Sequence, residues 1–417
     1  MGFGIQQKRV ACITSGGPTQ DITITDIGIP KGAVFILDRC TNQGVDAAHH
    51  MVCIGFTDGS NHKCILYSAE ESTGVSNTWS KAMSNVPIVT VAAATGTTDG
   101  QASFVQWITD GVQITWDDLP PAAYFLTVIF FYGDILVEVG EILGTEGGSI
   151  SLGFKPDIMI GAGQSVASFG TGTASTANGA FSIGMLAGGK QCCLGWYSTD
   201  GVVPPTGSPE YSIIEQDFFM DDIFSGTGYA VLTPTADGIS INAGSLACAF
   251  IAISLKGQAR TDIIYFDSPT STGSHTVPVG FKPYFVFEFQ TAFADYNSIN
   301  NSDGSDWGLG IISIDTEAHC YMGRTNMAGA GTITAKSRCG SETADHSCQY
   351  RNFDSSITFT ASAVTFNSTD YTRSFSVATA GGSPRKFAAL VVSERIFTGP
   401  NSRVEDLVIG DPIAIGV

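Results

Sequence analysis

Cysteine and histidine carry most of the reactive chemistry in this chain, and they cluster. His49-His50-Met51-Val52-Cys53 is followed by His62-Lys63-Cys64, and imidazole with thiolate is a ligand mixture that zinc accepts. On two strands joined by the Asp58-Gly59 turn, residues 50, 53, 62 and 64 would approach one another. Positions 50 and 53, however, point to opposite faces of an ideal strand. Cys64 also recurs as Cys193 and Cys320 without a matching set of histidines. The cluster therefore reads as buried or cross-linking thiols, and neither a metal nor a cofactor is expected. Cys192 and Cys193 are adjacent, so one faces a core and the other a partner. Cys339 and Cys348 lie nine residues apart across a glycine-containing turn and are placed to pair. The expected disulfide or cross-link residues are Cys64, Cys193, Cys320, Cys192, Cys339 and Cys348. Ten cysteines in 417 residues are too few for a disulfide scaffold, and their connectivity cannot be read from spacing.

Catalytic patterns find little support. There is no Gly-x-Ser-x-Gly elbow, no phosphate loop ending in Gly-Lys-Ser/Thr and no His-Glu-x-x-His. The acid pairs Asp117-Asp118 and Asp221-Asp222 are adjacent, so on a strand their side chains diverge. Asn301-Ser302-Asp303-Gly304-Ser305-Asp306 begins like a calcium loop but lacks the later ligands, and reads as a hairpin turn. Trp79, Trp107, Trp116, Trp196 and Trp307 are the candidate platforms for sugar rings; on sandwich strands they are expected in the core. No enzymatic activity is expected.

Composition narrows the partners. Lysine and arginine number 20 against 39 acids, for a net charge of −19. Such a surface repels phosphate backbones and anionic bilayers, so neither nucleic acid nor membrane is an expected partner. Only 14% of residues are charged, against about a quarter in typical domains, so hydroxyls and amides must solvate the surface. No stretch reaches the length of a membrane-spanning helix, and the start has no apolar core for a secretory signal.

The elements that would position these residues are written three times, about 125 residues apart. Gly153-Phe154-Lys155-Pro156 returns as Gly280-Phe281-Lys282-Pro283, with a degenerate copy at Gly28-Ile29-Pro30-Lys31. Each copy is followed by an apolar run. Next comes a hydrophobic-Gly-hydrophobic triplet: Ile54-Gly55-Phe56, Ile183-Gly184-Met185 and Leu309-Gly310-Ile311. The recurrent cysteine stands nine or ten residues beyond. Each unit then closes on a turn-plus-strand signature (Asp110–Ile114, Asp237–Ile241, Asp354–Thr358) and a final run apolar on both faces. A repeat this long is the size of a domain, not of a solenoid unit. The spacing predicts an N-terminal arm at 1–7, units at 8–133, 134–257 and 258–395, and a C-terminal arm at 396–417. Period-two alternation and dense Asp-Gly turns predict strands. Glu215–Ile223, with Phe218-Phe219-Met220, is the best candidate for a short helix. Ala69–Asn85, Pro204–Pro209 and Ala361–Pro384 read as long loops, where contact specificity would sit. The fold class is all-β: three tandem antiparallel β-sandwich domains, jelly-roll-like or lectin-like.

The phrase Gly-Phe-x-Pro with an apolar strand, a hydrophobic-Gly-hydrophobic strand and then Asp-Gly-hydrophobic-Ser/Thr-hydrophobic resembles a β-domain common in virion proteins of tailed bacteriophages. The resemblance spans all three units, although the first has Ile29-Pro30-Lys31 in place of Phe-Lys-Pro. It implies a non-enzymatic structural role on the outer surface of a particle assembled in the host cytoplasm. The expected partners are other virion proteins, namely the major capsid protein or neighbouring copies in a homo-oligomer, with disulfides as possible locks. The alternative is a tail-fibre, tail-tip or adhesin-like protein that binds host-surface glycans.

Overall fold

The computed structural model describes the backbone of residues 2–42, 47–70, 74–143, 148–164, 169–170, 176–203, 210–220, 229–242, 247–291, 293, 295–300, 305–313, 318–328, 335–342, 346–351, 357–377 and 384–394. Within these, side chains are described except at 176–177, 210–211, 229, 299–300, 305–306, 318–363 and 376–377. Every regular element among the described residues is a strand, and all named strands pair antiparallel. The chain is all-β, as the alternating sequence predicts.

Each module is a sandwich of one seven-stranded and one four-stranded sheet. In the first, the large sheet runs Gly4–Ala11, Phe125–Tyr132, Pro30–Asp38, His50–Thr57, His62–Ala69 and Thr78–Ser84. The small sheet runs Thr19–Thr23, Gly111–Asp118, Thr98–Ile108 and Ile88–Val91. The second and third modules repeat both orders. In each case the seventh strand of the large sheet comes from another module. Thr176–Ala177 of the second pairs with Thr78–Ser84 of the first. Ile299–Asn300 of the third pairs with Glu210–Glu215 of the second. Ala47–Ala48 of the first pairs with Ala335–Glu342 of the third. The exchange closes into a ring.

Two kinds of core follow from strand alternation. Side chains on one face of each large sheet pack inside their own sandwich, as Val128 and Phe130 do in the first module. Side chains on the other face, such as Ile129 and Phe131, join one cluster shared by all three modules, together with Ile251, Ile253, Leu390 and Val392. The closing strands are apolar on both faces because both faces are covered.

The recurring landmarks have direct physical causes. Gly28, Gly153 and Gly280 all take left-handed backbone angles, with φ of 68°, 72° and 85°, which favours glycine over residues that carry a Cβ. The N–H groups of Gly153 and Gly280 donate to the carbonyls of Asp237 and Thr369, docking the start of each unit onto its small-sheet hairpin. Gly55 and Gly184 lie mid-strand in the large sheets, against the segments at Pro87 and Phe218 that cross from large to small sheet. A Cβ there would fall on the carbonyl oxygen of Pro87 or Phe218.

Several sequence expectations need correction. Phe218-Phe219-Met220 contributes a strand, Phe219–Met220, because Phe218 and Phe219 are wedged into the second sandwich core. Ala69–Asn85 contains the strand Thr78–Ser84, and Ala361–Pro384 contains most of a strand hairpin. In the third unit the sequence signature Asp354–Thr358 runs into Ile357–Phe366, one strand before the closing hairpin's second arm. The counterpart of Gly111–Asp118 and Gly238–Asn242 is Asp370–Val377, which pairs with Gly273–Pro278. An Asn367-Ser368-Thr369-Asp370 turn replaces Asp-Gly there, which hides the match. Residues 4–7, expected in an N-terminal arm, begin the strand Gly4–Ala11, and the Gln7 carboxamide donates to the Ile311 carbonyl of the third module. Pro204–Pro209, Asp354–Ser356 and the arm at 396–417 lie outside the described residues.

If the crossing glycines are obligatory, Gly184→Ala and Gly55→Ala should each lose about 3 kcal/mol in denaturant unfolding, at the upper end of overpacking costs. Gly17→Ala, which meets nothing within 4 Å, should be close to neutral. Equal behaviour of the three variants would refute the close-approach account.

Candidate functional site

The residues that bring the modules together lie on the ring axis. Register alignment makes Tyr67, Trp196 and Gly323 equivalent, each three residues after the recurrent cysteine. Their cross-strand partners are Val52, Phe181 and Trp307. Each module thus offers one pair to the axis, and the bulk is distributed unequally. Trp196 and Trp307 stack with centroids 3.9 Å apart and planes at 19°. Phe181 stacks on the other face of the cluster at 4.8 Å from Trp196. Tyr67 meets Trp196 edge-on at 5.7 Å, and the His50 ring lies 5.6 Å from Trp307. Gly179 stands where the first module has His50, and a Cβ there would run into the Tyr67 ring. Aromatic pairs of this geometry add about 0.5–1.5 kcal/mol each beyond area burial.

The seams are polar and specific. At the first, Lys63 pairs with Glu141 at 2.6 Å, and the Val139 N–H donates to the Asp58 carboxylate at 2.9 Å. Thr78 and Ser80 exchange hydrogen bonds with the backbone of Asn178–Ala180 and Ser198. At the second, Lys190 pairs with Asp262 at 2.8 Å, and the Tyr265 hydroxyl donates to the Gln191 carbonyl. The third seam carries the Gln7–Ile311 bond, and Phe3 packs edge-on against Tyr284.

The expected site residues do not converge. Cys64 and Cys193 stand opposite Gly55 and Gly184 and face their own sandwich cores. Cys320 holds the same register opposite Gly310. Cys192 faces the core shared by the modules, beside Tyr265 of the third, so neither cysteine of the adjacent pair points out to a partner molecule. All seven cysteines whose side chains are described are buried. Burial pushes the thiols of Cys64, Cys192 and Cys193 up, which makes them poor nucleophiles. A cross-link between copies through these three would need the sheets to open. Cys339 and Cys348 lie on strands of different sheets in the third module, not on the two arms of one hairpin. The side chains of Cys320, Cys339 and Cys348 fall outside the described residues.

His50 turns to the axis while Cys53 and Cys64 face the sandwich core. His62 stacks on Phe104, with its Nδ1 2.7 Å from the Thr57 hydroxyl. Among the described residues, no three His, Cys, Asp or Glu side chains converge on a metal position. Trp116, Trp196 and Trp307 are buried, and Trp79 donates to the Ala93 carbonyl. A crevice of about 730 Å³ at the third seam is lined by Gln6, Lys8, Thr23, Asp26 and Thr109, among others, with no aromatic ring.

One buried pair escaped the sequence reading. In the third module, Glu288 and Arg373 form a 2.6 Å ion pair inside the sandwich core. Their register equivalents are Phe35 with Ile114 and Gly161 with Ile241. Burial raises the Glu288 carboxyl, against the pull of Arg373 and Tyr371. The guanidinium also lies 4.8 Å from the Phe266 ring centroid and 4.9 Å from that of Phe387. The only available signal was a charge inside each of two otherwise regular strand patterns. A scan of family models, curated proteins and solved structures returned no match.

Two measurements probe these centres. Burial lowers the His50 imidazole to about 3, while the unfolded chain takes up that proton near pH 6.5. Stability should therefore fall by about 1.4 kcal/mol per unit as pH drops from 6.5 towards 3, and His50→Gln should remove that component of the slope. An unchanged slope in the variant would exclude His50 as its source. For the ion pair, Glu288→Leu or Arg373→Ile alone should cost about 3–5 kcal/mol, with the double variant regaining most of the loss. Strictly additive losses would show that the pair is not coupled.

Proposed function

We propose that this chain is a non-enzymatic structural protein of a virus particle of the tailed-bacteriophage type, decorating or clamping the outer surface of its shell. The observation that carries the reading is what the three modules share. What recurs is a left-handed turn glycine, a mid-strand glycine, a cysteine opposite it and apolar strands, and the tasks these have in the described residues are structural. No set of titratable side chains recurs with them. Module copying has multiplied a surface, and a multiplied surface suits a partner that is itself repeated. The acidic charge favours an exterior position, away from packaged nucleic acid. The expected partners are the major shell protein or neighbouring copies of this chain. The glycan-binding alternative draws less support, since three of the five tryptophans are buried and the third-seam crevice has no stacking ring among its lining residues.

The test is to purify particles from cells expressing the gene in its native genome, then to find the chain by mass spectrometry and immunogold labelling. Label spread across the shell is expected. Label confined to the tail end would favour the glycan reading, and absence from particles would overturn both.

A further inference from the structure

The chain crosses from module to module at one end of the large sheets, by two unequal linkers. Tyr132 ends the first module and Leu136 opens the second, with three residues between them. Ser254 and Thr261 bound the second crossing, which has six. The third module is therefore tied to the second by residues 255–260, and to the first by non-covalent contacts. At its two seams Lys190 meets Asp262, Tyr265 meets Gln191, the Gly188 N–H meets Thr261, Gln7 meets Ile311, and Phe3 meets Tyr284. All of these residues lie outside the linker. The third module of a second copy can make every one of the same contacts, and what differs between the two arrangements is the linker.

In the ring that linker is folded back on itself. The Gln258 N–H donates to the Leu255 carbonyl at 2.9 Å, and the two residues between them, Lys256 and Gly257, take left-handed backbone angles with φ of 52° and 72°. Glycine adopts that region freely, whereas a lysine in it is strained. Lys256 and Gly257 are exposed. The turn is fastened to the first crossing by Lys256 Nζ, 2.6 Å from the Asp134 carboxylate, and by the Gln258 carboxamide, which donates to the Asp134 carbonyl. An exposed ion pair of this kind holds little. Drawn out, six residues reach about 20 Å, far enough to pass between two rings set end to end. The surface beside the turn is partly apolar. Leu136, 39% exposed, pairs with Ser254, the last strand residue before the linker. Ile29, 55% exposed, precedes Pro30, which pairs with Tyr132 at the same end.

We infer that two copies of this chain exchange their third modules, residues 255–260 opening into an extended strap while each ring closes on the other copy's third module. The two rings then meet at the crossover end, where one patch faces itself across a twofold axis. Exchange keeps every seam and core contact of the single ring, so few contributions decide the balance. Release of the left-handed Lys256 and cover for Ile29 and Leu136 favour the pair. The association cost and the net charge of −19 on each chain oppose it. That balance moves with concentration, and copies crowded together are where it tips. The inference does not rest on the virion reading; on a particle it would link neighbouring copies to one another.

Full-length protein refolded across a range of concentrations, then resolved by native mass, tests the exchange. A dimer that persists on dilution is expected, because separating it requires the shared cores to open. Monomer alone at every concentration would overturn the inference. Dimer prepared from mixed light and heavy-nitrogen chains is then treated with carbodiimide, which joins an amine to a carboxylate it touches. Peptides that link Lys190 to Asp262 and carry one label of each kind are expected. Same-label links alone would show surface pairing without exchange and overturn the inference. The hinge is read with Lys256→Gly, which suits the left-handed turn and should keep the wild-type melting temperature. Its dimer fraction should fall about fivefold, and an unchanged fraction would overturn the assignment of this linker as the hinge. None of these outcomes bears on the virion role, which is decided by presence on particles.

Discussion

Each large sheet has two apolar faces, and its own small sheet covers only one. The uncovered face of the first module would expose Val34, Ile36, Ile54, Phe56, Ile65 and Phe131, all buried in the intact chain. Burying six such side chains is worth on the order of 10 kcal/mol, comparable to the whole stability of a typical domain, about 5–15 kcal/mol. A single module left alone would therefore carry a large apolar face in water. Three modules facing one axis solve the problem for all of them at once. The exchanged strands are only two residues long, so they add little energy beside the shared core. Their contribution is to cap the sheet edge and to fix which module neighbours which.

The axis shows how copies diverge when they share a core. Three identical aromatic pairs would crowd a single line. Instead, Trp307 stands opposite Gly323, Val52 opposite Tyr67, and Phe181 opposite Trp196. Gly179 clears the space that Tyr67 fills. Close packing permits little slack, so a change at one of these positions constrains the others. The Glu288–Arg373 pair follows the same logic within one sandwich: two coupled positions differ together from their counterparts in the other modules.

Much of the architecture was legible in residues tied to local geometry. The left-handed turn at Gly28, Gly153 and Gly280 favours glycine, and the close approach at Gly55 and Gly184 leaves no room for a Cβ, so both leave marks in the sequence. Strands with both faces apolar announced that something must cover the second face. The exchanged strands were not legible, since Ala47-Ala48 or Thr176-Ala177 has no periodicity to read. Equivalence at the axis was hidden because volume moves between partners: Trp196 and Trp307 occupy opposite members of the cross-strand pair and share no position. Of the two readings of the recurrent cysteine, buried or cross-linking, Cys64 and Cys193 take the buried one. Recurrence marked Cys64 and Cys193 as special, but what recurs is a small apolar side chain opposite a crossing glycine, a packing constraint and not a redox one.

Ring closure also bears on what the molecule can offer to others. A homotrimer of single modules would have to hold its chains together at every concentration, and its three copies could not differ. Covalent linkage removes the association cost of bringing modules together and frees each copy to mutate separately. The divergence described above, at the axis and in the third sandwich core, lies inside the molecule and does not disturb the head-to-tail outline. The three exchanged strands close the modules around one core, and the cysteines whose side chains are described pack into that core or into the sandwich cores.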